Sequence, residues 1–286
     1  MTEIPGLDPV EGILAQALQM EEEGDWDSAA RLLRDGAEEH GDDARLLCWL
    51  AVAERELGDD GTAYERFRQC LALAPEDPWV LATAGNGVAA FDDPEAGAAL
   101  RTAALLAPEL PLARWLYGAY LAREGLLEEA LEELEAARRL DPEDDEIALE
   151  WGVALALAGR FTEALEAFGT AVDPQDDDGW ARVLLGLTHL QLDDLEEAAR
   201  ELQEAARLRT EDVEAQLLAA LTLGALDAEG PALEMLERSR LQAVGHDQLV
   251  MLEVEERLET GPEAAGEFLR KTLAPVAYRE RLMVRP

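Results

Sequence analysis

RWLYGAYLAREGLLEEALEELEAARRLDP, residues 114–142, splits at Gly125 into two stretches of helical periodicity and stops at Pro142. It carries a small residue at Gly118, another at Ala130, and a large one, Leu134, four places further on. These marks recur along the chain. The alanine column runs Ala29, Ala63, Ala96, Ala130, Ala164, Ala198 and Ala232, at steps of 34, 33, 34, 34, 34 and 34 residues. Four places beyond each stands Leu33, Phe67, Leu100, Leu134, Phe168, Leu202 or Leu236. Upstream lies a second column of small residues, Ala17, Ala51, Gly85, Gly118, Gly152, Gly186 and Ala220. The one short step falls in FDDPE, residues 91–95, a turn. A fixed period of this size marks a repeat architecture, in which each unit buries its apolar face against the next.

Each unit reads as a pair of helices. Gly24, Gly58, Gly125 and Gly159 break the first helix from the second, with Asp193 and Asp227 in that place later. Pro75, Pro108 and Pro142 stop the second helix, because proline has no N–H to continue the ladder. Small residues at matching places let helix backbones approach, and a large Leu or Phe one turn on fills the gap. The unit resembles the tetratricopeptide repeat, W-x2-L-G-x2-Y, then A-x3-F, then P. The fourth unit supplies Tyr117-Gly118, Leu121, Ala130, Leu134, Ala137 and Pro142 at those places, and the fifth Trp151-Gly152, Leu155, Ala164, Phe168 and Ala171. Arg114, Arg182 and Gln216 depart from the pattern, standing where a large apolar residue is usual, and Val244 replaces the last proline.

The resemblance implies an all-α, right-handed solenoid of about seven helix pairs over residues 10–246, after a lead-in of residues 1–9. Residues 247–286 read as a degenerate eighth pair that caps the array and ends in a basic tail. No linker separates the units, so the array reads as one domain.

Composition narrows the partners. Against 24 basic residues stand 63 acidic ones, a net charge of −39, which repels phosphate backbones and anionic membranes alike. Lysine occurs once, at Lys271, a usage that a GC-rich genome or a high-salt habitat explains. Cys48 and Cys70 give no disulfide framework and fit a reducing cytoplasm. MTEIPGLDPVEG, residues 1–12, lacks the basic start and apolar run of a secretory signal, and no apolar stretch is long enough to span a bilayer.

Catalytic and cofactor readings find no footing, so no cofactor and no metal is expected. Ser28 flanks the Ala29 place, Ser239 fills a small-residue place of the second helix, His189 takes the tyrosine place of the motif, and Cys70 a small core place. His40 and His246 fall near turns between repeats. GNGVAA, residues 85–90, matches a dinucleotide fingerprint, but that fingerprint needs a preceding strand and Gly85 belongs to a first helix. DPQDDDGW, residues 173–180, lacks the alternating carboxylates of a calcium loop: Pro174 interrupts them, and Leu185 stands where the closing glutamate belongs. The acids in GDD 41–43, PEDP 75–78, PEDDE 142–146 and TED 210–212 precede first helices and act as caps.

At 100° per residue, places 4, 7, 8 and 11 of a first helix form the stripe that packs on its second helix, and places 2, 5, 9 and 12 form another roughly 130° away. In the family this second stripe faces a concave groove. Its heart here is Trp79, Asn86, Trp115, Ala119, Leu149, Val153, Trp180, Val183, Leu187 and Leu217. So apolar a stripe lacks the basic clamp for a peptide carboxylate and fits an apolar, extended or helical segment of a partner protein. Two other readings stand beside it: burial of the stripe between neighbouring first helices, and self-occupation. RKTLAPVAYRERLMVRP, from Arg270, holds five basic and several apolar residues and suits the groove of its own chain or of a second copy in a homo-oligomer.

Overall fold

The computed structural model describes residues 8–172 and 179–283. In chain order the helices are α1 (Pro9–Glu22), α2 (Trp26–Glu39), α3 (Ala44–Glu56), α4 (Asp60–Ala72), α5 (Pro78–Ala89), α6 (Ala96–Leu106), α7 (Pro111–Arg123), α8 (Leu127–Leu140), α9 (Asp145–Leu157), α10 (Phe161–Thr170), α11 (Trp180–Gln191), α12 (Leu195–Leu208), α13 (Val213–Ala225) and α14 (Glu229–Gln242). There follow α15 (His246–Thr260), α16 (Pro262–Phe268), a π-helical turn (Leu269–Leu273) and α17 (Ala274–Met283). No strand occurs among the described residues. The calcium-loop residues 173–178 and the last three residues of the tail lie outside them.

The chain packs as two compact units. One comprises the described residues up to Glu124 together with Glu132–Leu140; the other comprises Gly125–Leu131 and the residues from Asp141 onward. Within the first, α1 packs on α2, α3 on α4 and α5 on α6; within the second, α9 packs on α10, α11 on α12 and α13 on α14.

The repeat columns are the core. Every residue of the alanine column and of the Leu/Phe column is at most 2% exposed. Each buried Leu or Phe contributes about 1.5–3 kcal/mol by leaving water. Two glycines of the other small column are dictated by distance: a Cβ on Gly152 would lie 2.6 Å from both Cδ1 and Cε1 of Phe168. One on Gly186 would lie 2.5 Å from Cγ of Leu202.

The helix breaks adopt left-handed backbone. Gly24, Gly58, Gly125 and Gly159 have φ of 73–80°, and Asp193 and Asp227 hold φ of 60° and 59° at the equivalent breaks. The shortened third turn is closed by Asp92, φ 54°; Asp tolerates this region better than most side chains. The predicted caps form: carboxylates of Asp43, Asp77, Asp144 and Asp212 accept from the N–H groups of Arg45, Trp79, Ile147 and Ala215 at 2.8–2.9 Å.

The departures from the repeat pattern are compensated locally. Arg114 donates to Glu133 at 2.5 Å and Arg182 to Glu201 at 2.9 Å, each bridging a first helix to the second helix 19 residues on. The Gln216 amide donates to the carbonyl of Thr210 at 2.6 Å.

At the C-terminal end α16, the π turn and α17 follow one another without a break, despite Pro275. Proline inside a helix removes one N–H and drives its ring into the carbonyl four residues back. Here the Ala274 N–H reaches back five residues, to the carbonyl of Leu269. That wider turn, placed just ahead of Pro275, makes room for the ring. α16 packs on α13 and α15, while α17 runs on to meet α11 and α9.

Candidate functional site

In the first unit the predicted stripe is partly surface and partly core. Trp79, Asn86 and Trp115 are half-buried. Trp79 stacks on Trp49, with ring centroids 4.6 Å apart and 18° between planes. The half-buried indole of Trp49 stands at place 6 of its unit, about 40° outside the predicted stripe, and for that reason sequence reasoning passed over it. Beside this pair, Arg45 is held by Asp43 at 2.6 Å and by Asp8 at 3.6 Å. Leu18 is 40% exposed. Ala119, expected on the open face, is 2% exposed, and Cys48 and Ala82 are fully buried. Cys48 and Ala82 belong to apolar clusters with residues of neighbouring first helices and serve packing.

In the second unit the correction is larger. Leu149 and Trp180 are half-buried, but Val153, Val183, Leu187 and Leu217 are 7%, 0%, 0% and 1% exposed. The last four belong to the same apolar cluster as Ala274, Ala277, Tyr278 and Leu282. Those α17 residues, at spacings of three, four and eight, form one helix face. Packed on α11 and α9, α17 lies over the part of this face that those two helices present.

Two polar anchors fix it there. The Tyr278 hydroxyl pairs with that of Thr188 at 2.7 Å, while Thr188 donates to the Leu184 carbonyl at 2.6 Å, which leaves Tyr278 as donor. Burial pushes the Tyr278 phenol up to about 12. Arg281 donates from Nη1 and Nη2 to the two carboxylate oxygens of Asp212, both at 2.7 Å, and from Nε to Glu214 at 2.9 Å. Its guanidinium also lies 5.0 Å from the ring centroid of Trp180, and that of Arg209 lies 5.2 Å from the same ring. The Arg281 side chain is only 10% exposed.

The two carboxylates respond in opposite directions. Burial pushes Asp212 up, but the hydrogen bonds and charge of Arg281, with the Ala215 N–H and Arg209, more than offset this, and its carboxyl sits below the usual range. At Glu214 burial outweighs Arg281, and its carboxyl sits above that range. Asp212 does double duty, because the same carboxylate caps α13.

The candidate nucleophiles are packing residues. Cys48 and Cys70 are free and buried; the Cys48 thiol is pushed well up by its neighbour Cys70 and by burial, the reverse of a reactive cysteine. His189 Nδ1 lies 3.3 Å from the Asp194 carboxylate beside the α11–α12 turn. Among the described residues no three His, Cys, Asp or Glu side chains are grouped to hold a metal ion. No helix among them is long and apolar enough to cross a membrane.

Comparison with known proteins bears on the fold. No curated protein matches the sequence. Among solved structures, the chain is similar to one in the APC/C hetero-tetramer Cut9–Hcn1, at 18% identity and a TM-score of 0.69 over 85% of this chain. It spans 48% of that chain, about half. A tetratricopeptide repeat protein from Parabacteroides merdae is 13% identical, with a TM-score of 0.59 over 89% of this chain and 98% of its own. PilF of Pseudomonas aeruginosa is 22% identical, with a TM-score of 0.55 over 69% and 90%. At such identities these likenesses speak for the fold alone. The sequence itself matches the tetratricopeptide repeat over residues 14–78, 127–179 and 181–212, together more than half of its length. With the helix pairs and the buried repeat columns, this makes the chain a member of the tetratricopeptide repeat family.

Proposed function

We propose that this protein is a non-enzymatic scaffold that binds an apolar or helical segment of a partner protein along the first-helix face of its repeats. We take α1–α14 as seven repeats, the residues from 247 as their cap and tail, and the cytoplasm as the setting, which two free, buried thiols suit. The observation that carries the reading is α17: the equivalent face of the second unit holds a helix in an apolar bed with polar anchors. That is the helix-in-groove mode of peptide recognition. In the first unit the same face carries the half-buried Trp49, Trp79, Asn86 and Trp115. Tryptophan supplies large contact area and is enriched at binding hot spots. A photoreactive benzoylphenylalanine at Trp79, expressed in the native host, is expected to cross-link a discrete partner, and one at the exposed Arg200 of α12 is not. Equal adducts from both sites, or none from Trp79, refute the reading.

A second reading rests on the same helix: the tail occupies the groove of its own chain or of a neighbouring copy. The Arg281 and Tyr278 contacts favour its own chain. Sedimentation of the full chain at the mass of one copy supports that form, and a dimer that reverts to monomer when the chain ends at Ala274 supports the exchanged one.

A further inference from the structure

We infer that the surface on which Arg281 is seated is an arginine-keyed receptor for a helix, that α17 is its resident latch, and that a partner helix carrying the same key displaces it. The key is a small residue and an aromatic side by side, then arginine and leucine three places on, as in Ala277-Tyr278 and Arg281-Leu282. This deepens the helix-in-groove reading and rests on it.

A cap needs only apolar cover. The apolar face of α17 supplies that through Ala274, Ala277 and Leu282, yet the helix also buries a guanidinium on two carboxylates and an indole. A buried ion pair adds little stability compared with apolar residues of the same size; what it adds is discrimination, because a helix without the cation leaves Glu214 without its guanidinium and Asp212, which is 12% exposed, with Arg209 as its one remaining cation. The planar fork is matched by both oxygens of Asp212, a geometry that lysine does not reproduce. Charge points the same way: a chain of net charge −39 attracts a basic helix from a distance, and α17 belongs to the basic tail. Val276 and Met283, 53% and 42% exposed, lie on the outer side of α17. The π turn ahead of Pro275 supplies a joint at which α17 can part from α16 without unwinding it.

The test uses the full chain and a fluorescent synthetic peptide of residues 270–286, the released latch. Unaltered protein is expected to bind it weakly, because the competing α17 leaves only a small fraction of sites open. Arg281→Glu in the full chain loosens the latch and keeps Asp212 and Glu214, so it is expected to bind the peptide at least about tenfold tighter, in proportion to the fraction opened. The same peptide carrying Arg281→Glu is expected to bind neither protein. Asp212→Asn, added to the Arg281→Glu chain, keeps a good helix cap but removes the charge, and is expected to lose the gain. No gain in the Arg281→Glu chain, or equal binding of both peptides, overturns the proposal. Should that chain not fold, hydrogen exchange on the unaltered protein decides: saturating peptide is expected to speed exchange of the amides of residues 274–283, and unchanged exchange overturns it. A tail found paired with a second copy in the unaltered protein also overturns it. None of these failures touches cross-linking from Trp79, which tests the broader reading by itself.

Discussion

Gly152→Ala isolates the steric logic of the repeat. A Cβ at that position would sit 2.6 Å from two ring carbons of Phe168 and 3.2 Å from the Cβ of Ala167. Carbon atoms settle at about 3.5–4.0 Å, so the ring must withdraw by about 1 Å. Phe168 is 0% exposed, so the surroundings offer no room for that withdrawal. Overpacking of this kind costs about 1–3 kcal/mol. Against it stands the gain of about 1 kcal/mol from replacing a glycine inside a helix. The net expectation is a loss of about 1 kcal/mol. Gly169, in the partner helix α10, provides the contrast, because a Cβ there meets nothing within 4 Å. Gly169→Ala should stabilise by about 0.5–1 kcal/mol. Urea unfolding followed by helical circular dichroism reads both variants. The expected gap is about 2 kcal/mol, and Phe168→Leu in the Gly152→Ala background should recover part of the loss. If Gly152→Ala stabilises as much as Gly169→Ala, the glycine is not there for close approach and the steric reading of the column is wrong.

The α17 anchors yield further expectations. Thr188→Val removes the acceptor of the buried Tyr278 hydroxyl and should cost about 1–3 kcal/mol, while Thr188→Val with Tyr278→Phe should be close to neutral, as a double-mutant cycle in urea would read. The Tyr278 phenol titrates near 12 folded and near 10 unfolded, so between those values the folded chain keeps a proton that the unfolded chain has released. Stability from this group is therefore complete below pH 10 and falls by roughly 2–3 kcal/mol as pH rises through 12, a loss that Tyr278→Phe should not show in paired urea titrations. Arg182→Leu with Glu201→Leu restores an apolar contact where the repeat usually has one and should be neutral or stabilising by about 1 kcal/mol in thermal unfolding, whereas Arg182→Leu alone should be destabilising.

The fold was legible in this sequence because its information is local and repeated. Ala130 and Leu134 gain meaning from six sister positions, and Asp193 was readable as a break because it stands where four glycines stand. Periodicity draws a second stripe on the first helices, but not what covers it. Whether Val183 and Leu187 meet solvent is decided by Ala277 and Tyr278, some 90 residues away, and periodicity carries no term for such contacts. The basic tail was visible as a candidate occupant; its helical form was hidden by Pro275, which reads as a stop unless the π turn ahead of it is known. Trp49 was missed for a smaller reason, a stripe drawn one place too narrow.

The first-helix face of the second unit holds a helix, and α17 is its occupant. Benzoylphenylalanine in place of Tyr278, irradiated in the purified full-length protein and mapped by mass spectrometry, tests it most directly. A cross-link within one chain is expected, to α11 around Thr188 or to Phe161 at the start of α10, whose ring lies 6.3 Å from that of Tyr278. A cross-link to a second chain, or none to either helix, would contradict it.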